Sequence, residues 1–372
     1  MEGGVSMYTT IRNEFCLLPK SKIKAGEGID NGIFPFFTSS DIKVSSLNSY
    51  EYDDEIVVIG TGGKPSCNYV NGKFSFSTDN YALKAKGKIE PKFLYYFLRK
   101  DGLATLQNGF HGAGLQHISK DYILNIEIPM FGRSKQQTIV RVLDDIHGMI
   151  LACQEQLTLL DELIKSRFIE MFGDPDANPF DWEIVTINDV CSSIVRGPFG
   201  SALKKEFFVP KSETTIKVYE QQHAIKKNDK LGTYYVTKEK YQSLKRFTCH
   251  EGDILMSCSG TMGELYQLPI GCEKGIINQA LCKFTLNQKM LPIVFLESMK
   301  HVVDQIDKKG SGIQNIAAVS YVKSMKMCLP PIQIQKKFVT FYEQVDKSKF
   351  IVQERIKLYQ ELLNKKMDEY FN

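Results

Sequence analysis

The sequence predicts an α+β protein in which two duplicated α/β domains are separated by two long helices forming an antiparallel coiled coil, with pseudo-twofold symmetry between the halves. Three observations carry that prediction. Residues 133–172 hold apolar side chains at a repeating 4-3 spacing. The same frame returns 199 residues later. The segments that precede the two helices show the same strands, turns and helix in the same order.

The first seam is Ile139, Leu143, Ile146, Ile150, Cys153, Leu157, Leu160 and Ile164. An unbroken heptad of this kind winds left-handed around a partner helix. The partner is in the same chain: Phe338, Tyr342, Val345, Lys349, Val352, Ile356, Tyr359 and Leu363 repeat the frame with one lysine in it. Lys349 is expected to snorkel its ammonium to water, with a register-fixing polar defect as the alternative. Identities at the same offset include Gln136/Gln335, Glu155/Glu354, Leu159/Leu358 and Phe172/Phe371. The expected division is a domain at 1–132, a helix at 133–172, a domain at 173–332 and a helix at 333–372. A period near 200 residues marks a duplicated domain rather than a solenoid.

In the first domain, Ile56-Val57-Val58-Ile59 reads as a buried strand ended by Gly60-Thr61-Gly62-Gly63-Lys64-Pro65. Tyr69-Val70, Asn71-Gly72 and Phe74-Ser75-Phe76 predict a type I′ hairpin. A helix is expected from Pro91 to about Leu106, then a Gly-rich loop through Gly112, Gly114 and Gln116, then a strand from Ile123 to Ile128. The second domain answers with Asp253 to Thr261, a helix from Leu291 to Ile306, and the loop Gly310-Ser311-Gly312-Ile313-Gln314. Gly173, a helix C-cap, followed by Pro175 and Pro179, marks the boundary between the halves.

At 372 residues the chain is long enough for two cores. No apolar run reaches a membrane span, and the start of the sequence lacks the pattern of a secretory signal. Nine scattered cysteines with no Cys-x-x-Cys pair exclude a disulfide framework or zinc ribbon and predict a reducing cytoplasm. Formal net charge is 0 over 1–132, −1 over 133–172, +3 over 173–332 and +2 over 333–372. A nucleic-acid binder of this balance must concentrate its positive charge locally.

No catalytic set emerges. Asn178-Pro179-Phe180 lacks the companions of a methyl-transfer site, and Gly62-Gly63-Lys64 is followed by Pro65 where a phosphate loop needs Ser or Thr. Asp79 with Glu90-Pro91-Lys92 mimics a nuclease set, but proline does not fit the central strand that set requires. The six histidines show no metal-ligand spacing; His117 and His223 are expected at the surface or in hydrogen bonds. No metal and no cofactor are expected.

The string Phe172-Gly173-Asp174-Pro175, Asn178-Pro179 and Trp182, followed by Arg196-Gly197-Pro198-Phe199-Gly200-Ser201-Ala202-Leu203-Lys204-Lys205, resembles the specificity subunit of Type I restriction-modification systems. Phe36-Phe37-Thr38-Ser39-Ser40-Asp41, Tyr219-Glu220-Gln221 and Leu329-Pro330-Pro331 add to the resemblance, which covers essentially the whole chain. The first domain departs from it in being shorter than the second and in lacking a tryptophan matching Trp182.

The resemblance implies two target-recognition domains, each reading half of a bipartite site on double-stranded DNA. It also implies a non-catalytic cytoplasmic subunit that brings two methyltransferase subunits, and optionally restriction/translocase subunits, to one place. Gly-rich turns admit phosphates to backbone N–H groups, and neighbouring hydroxyls and lysines add contacts. The candidate DNA-binding residues on that basis are Thr61, Gly62, Lys64, Gly114, Gln116, Ser201, Lys204, Lys205, Ser259, Thr261, Ser311 and Gln314. Gln116, Gln221, Gln222 and Gln314 have the chemistry for bidentate contact with adenine. The competing reading is a coiled-coil adaptor that joins two protein-binding domains and never touches DNA; near-neutral charge is its support.

Overall fold

The computed structural model describes residues 7–308 and 319–371. Two compact units emerge: one comprises the chain through Leu157 together with the stretch from Ile351 onward, the other Thr158–Phe350.

The first unit is built on a six-stranded sheet in the order Phe15–Leu17, Asn80–Ala85, Tyr52–Gly60, Cys67–Phe76, Phe34–Phe37, Ser45–Leu47. Neighbours are antiparallel except Phe34–Phe37 against Cys67–Phe76. The run Ile56 to Ile59 is buried on both faces. Ile56 and Val58 pack with Phe37, Phe74 and Phe76, while Val57 and Ile59 join the core made with Phe93, Leu94 and Leu98.

Three sequence expectations are corrected here. Asn71-Gly72 is not a hairpin turn: both residues lie inside the strand Cys67–Phe76, opposite Glu55 and Asp54. The long strand Tyr52–Gly60 offers partners from Cys67 through Phe74, and a turn at 71–72 would pull Phe74 and Phe76 out of their core. The helix begun at Pro91 stops at Arg99, because Asp101, Gly102 and Leu103 all take positive φ before a short helix resumes at Ala104–Gln107. The expected strand from Ile123 gives way to a helix, Lys120–Leu124, whose N-cap Ser119 accepts the Tyr122 N–H at 3.1 Å. The strand begins only at Glu127.

The second unit carries two four-stranded sheets. One is ordered Cys191–Arg196, Leu281–Leu286, Ile254–Ser257, Leu265–Gln267; the other Tyr235–Val236, Ile216–Tyr219, Gly275–Ile277, Thr248–Cys249. The chain crosses from one sheet to the other through residues 278–280. The helix Pro292–Lys308 buries Val294, Phe295 and Met299 against the first of these sheets. Each unit is closed by a two-stranded ladder of its own ends, Met7–Thr10 with Glu127–Met130 and Glu183–Thr186 with Lys326–Leu329.

The long helices span Arg133–Phe172 and Ile332–Phe371. Within the second unit Phe172 meets Phe338 at 5.3 Å between rings, and eleven residues earlier Asp161 pairs with Lys349, eleven residues later. The helices therefore run antiparallel. Within the first unit Ile139 and Leu143 share a core with Met367 and Phe371, as that direction requires. Along the heptad positions Ile139, Leu143, Ile146, Ile150, Cys153, Ile164, Phe338, Val345 and Val352 are buried. Leu157, Leu160, Tyr342, Ile356, Tyr359 and Leu363 are half-buried. Lys349 sends its ammonium out to Asp161, so the seam lysine snorkels into an ion pair. Gly173 ends the first helix at φ +79°, and its N–H closes on the Ile169 carbonyl at 2.8 Å. A Cβ there would lie 2.5 Å from the Pro179 ring, so the cap needs glycine twice over.

Candidate nucleic-acid interface

In the second unit three segments meet around residues 278–280. The strand Cys191–Arg196 ends at Gly197, whose N–H donates to the Leu281 carbonyl at 3.0 Å. A Cβ at Gly197 would sit 1.8 Å from the Asn278 carbonyl oxygen, so only glycine admits this approach. Asn278 donates its N–H to Tyr219 at 3.0 Å, which brings in the segment 219–222. Cys258 donates its N–H to Ala280 at 2.8 Å, which brings in the loop 258–263.

Polar groups at this junction are held in place. Gln221 Nε2 donates to the Thr261 carbonyl at 3.3 Å, and Ser257 Oγ donates to the same oxygen at 2.6 Å. Thr261 is exposed and Ser259 half-buried. Ser201 lies in the short 3-10 turn Gly200–Leu203 that follows Phe199, and Lys204 and Lys205 come next, all three exposed. Lys204 is only loosely paired, 3.9 Å from Glu206. Gln222, by contrast, turns its amide onto Glu220 at 2.9 Å, so its expected contact with adenine competes with an internal bond.

In the first unit the two Gly-rich loops are laced together. Gly63 donates its N–H to Gln116 at 2.9 Å, Ile118 donates to Thr61 at 3.1 Å, and Gly62 bridges His117. Thr61 and Gly62 thus become neighbours of Gln116, more than 50 residues on in sequence, with Lys64, Gly114 and Gln116 exposed. The Thr61 hydroxyl donates to the Asp79 carbonyl at 3.0 Å, which makes it a brace for the loop. Ser311 and Gln314 lie outside the described residues.

Sequence reasoning passed over three residues here as candidates. His117 is exposed, with Nδ1 3.2 Å from the Thr61 carbonyl. Arg196 is 6% exposed, donates from Nε to the Gln279 carbonyl at 3.1 Å and lies 5.4 Å from the Phe199 ring, which is itself 59% exposed. An aromatic between two glycines, outside any apolar periodicity, was the available signal.

His223, the buried histidine, accepts the Glu220 N–H at Nδ1 (2.8 Å) and meets the Leu231 carbonyl with Nε2 (2.7 Å). Burial pushes its pKa below the ordinary value, so it stays neutral in one tautomer. Among the described residues no group of three or more His, Cys, Asp or Glu is placed to hold a metal, and no helix is long and apolar enough to cross a membrane.

Residues 14–159 and 179–362 match the family described as Type I restriction modification DNA specificity domain. The Type I restriction enzyme EcoDI specificity subunit of Escherichia coli is 27% identical over 161 residues, 43% of this chain and 36% of that protein. The MjaVIII specificity subunit of Methanocaldococcus jannaschii is 21% identical over 164 residues, 41% of this chain and 39% of that protein. The chain thus spans well under half the length of these two relatives. The crystal structure of the S subunit of a Type I restriction-modification system from M. genitalium superposes with a TM-score of 0.59 at 14% identity, covering 100% of this chain and 97% of that one. That likeness concerns the fold. With two matched regions covering most of its length, the chain belongs to the Type I restriction modification DNA specificity family.

Proposed function

We propose that this chain is the DNA-reading specificity subunit of a Type I restriction-modification complex, non-catalytic in itself, with each unit reading one half of a bipartite target. The observation that carries the proposal is the pair of loop clusters, one per unit, each inside a matched DNA specificity region. Each cluster joins glycine turns to amide side chains, hydroxyls and exposed lysines from segments that lie far apart in sequence. Partners of the complex are two methyltransferase subunits and, where present, restriction/translocase subunits. An exposed apolar stripe supports two copies of one partner. Leu159 and Leu163 on the first helix, one turn apart, recur as Leu358 and Leu362 on the second.

The test is equilibrium binding of the assembled methyltransferase complex to DNA carrying the target found by mapping methylated adenines. Lys204→Ala with Lys205→Ala should weaken binding and flatten its salt dependence, the log–log slope falling by about 0.9 for each phosphate that the two lysines neutralise. An unchanged slope removes both lysines from the interface. Failure of the wild-type complex to prefer its target over random duplex returns the chain to the adaptor reading.

A further inference from the structure

We infer that Phe199 is an aromatic wedge, which stacks on a base at one step of the half-site read by the second unit. The inference rests on the DNA-reading function and adds a specificity-determining contact to it.

An exposed phenylalanine is ordinary on a protein surface; an immobilised one is not. Three restraints fix this ring. Gly197 is jammed against residues 278–279, where no other residue fits. Pro198, buried, sets the backbone that carries the ring outward. The Arg196 guanidinium, anchored on Gln279, lies against the ring and supplies a cation–π brace. A flat apolar surface held this way loses little freedom on binding, which is what a stacking contact needs.

Its surroundings select the occupant. Lys204 and Lys205 follow within six residues, and Gln221 and Thr261 stand across the junction. Cations for phosphates, amides for base edges and one rigid ring among them match a nucleic acid better than an apolar protein face. The first unit has no equivalent: after its strand Phe15–Leu17 the chain reads Leu18-Pro19-Lys20-Ser21, with exposed Lys20 where the second unit has Phe199. The wedge is therefore one-sided.

The experiment uses the full chain assembled with its methyltransferase subunits and duplexes carrying 2-aminopurine at each position of both half-sites in turn. Beside the changes at the adenines that the methyltransferase subunits flip out, wild-type complex should change the fluorescence at one further step, in the second unit's half-site only. Phe199→Ala should abolish that signal and weaken binding roughly 5- to 150-fold, the range for loss of one base–aromatic stack. Phe199→Trp should restore both, whereas Phe199→Leu, apolar but without a π face, should not. Equal binding and equal signal by wild type and Phe199→Ala overturn the wedge and leave the DNA-reading function standing, as does full rescue by leucine. A wild-type complex with no target preference overturns the function itself. The ring is exposed, so the variants keep the fold, and circular dichroism checks this.

Discussion

Gln136 is fully buried, and so is Gln335, 199 residues on. Gln136 accepts the Glu90 N–H at 3.0 Å and donates to the Lys88 and Phe131 carbonyls at 3.1 and 2.8 Å. Gln335 accepts the Leu291 N–H at 2.8 Å and donates to Lys289 and Pro330 at 2.9 and 2.8 Å. Each amide ties the first turn of a long helix to the start of a globular helix, so the duplication reaches individual hydrogen bonds. His223 is also buried, and it has no such twin. Its folded pKa lies below the unfolded value, so the unfolded chain takes up the proton first as pH falls. The stability it contributes is complete above about pH 6.5 and is lost as pH drops below that. Thermal melting between pH 7.5 and 5 should therefore show a steeper loss for wild type than for His223→Asn; parallel curves would refute this. At this scale the nominated residues were readable as local patterns, glycine turns with nearby lysines and glutamines. The Arg196–Phe199 pair was not, since its anchor, Gln279, is 83 residues away.

Among elements, the long helices were the most legible, because a heptad sustained from Ile139 to Ile164 and again from Phe338 to Leu363 leaves no competing periodicity. Short elements were less so. Asn71-Gly72 carries a strong local turn signal that an eight-residue ladder overrides, and Lys120–Leu124 is a helix too short to show a period, fixed by one serine cap. The helices also expose what the seam does not use. Leu159 and Leu163 stand in solvent one turn apart, as do Leu358 and Leu362. Charging one stripe, with Leu159→Asp and Leu163→Asp, should cost the complex one methyltransferase subunit, and charging both stripes should cost two. Mass measurement of the purified assembly reads this directly. A full complement on the doubly charged chain would mean that the partners dock elsewhere.

For the whole molecule, the balance of charge is nearly neutral, at +4 over 372 residues, so affinity for a polyanion must come from placed groups rather than a general field. On the proposed function, placement then depends on what sets the spacing between the two half-sites. Each long helix has 40 residues, roughly 60 Å at 1.5 Å per residue. Within the first unit Ile139 and Leu143 share a core with Phe371 and Met367, and that antiparallel register, followed along the heptad, sets residues 150–156 of one helix against 354–360 of the other. Deleting both segments removes one heptad from each helix while keeping the seam in phase. It shortens each helix by about 10.5 Å, up to about three base pairs of duplex at 3.4 Å each. If the helices are the ruler, methylation mapping of the shortened protein should return the same two half-sites with a smaller gap between them. The half-sites themselves should not change, because the loops proposed to read them are untouched. Retained activity at the original gap would show that spacing is set by something other than helix length.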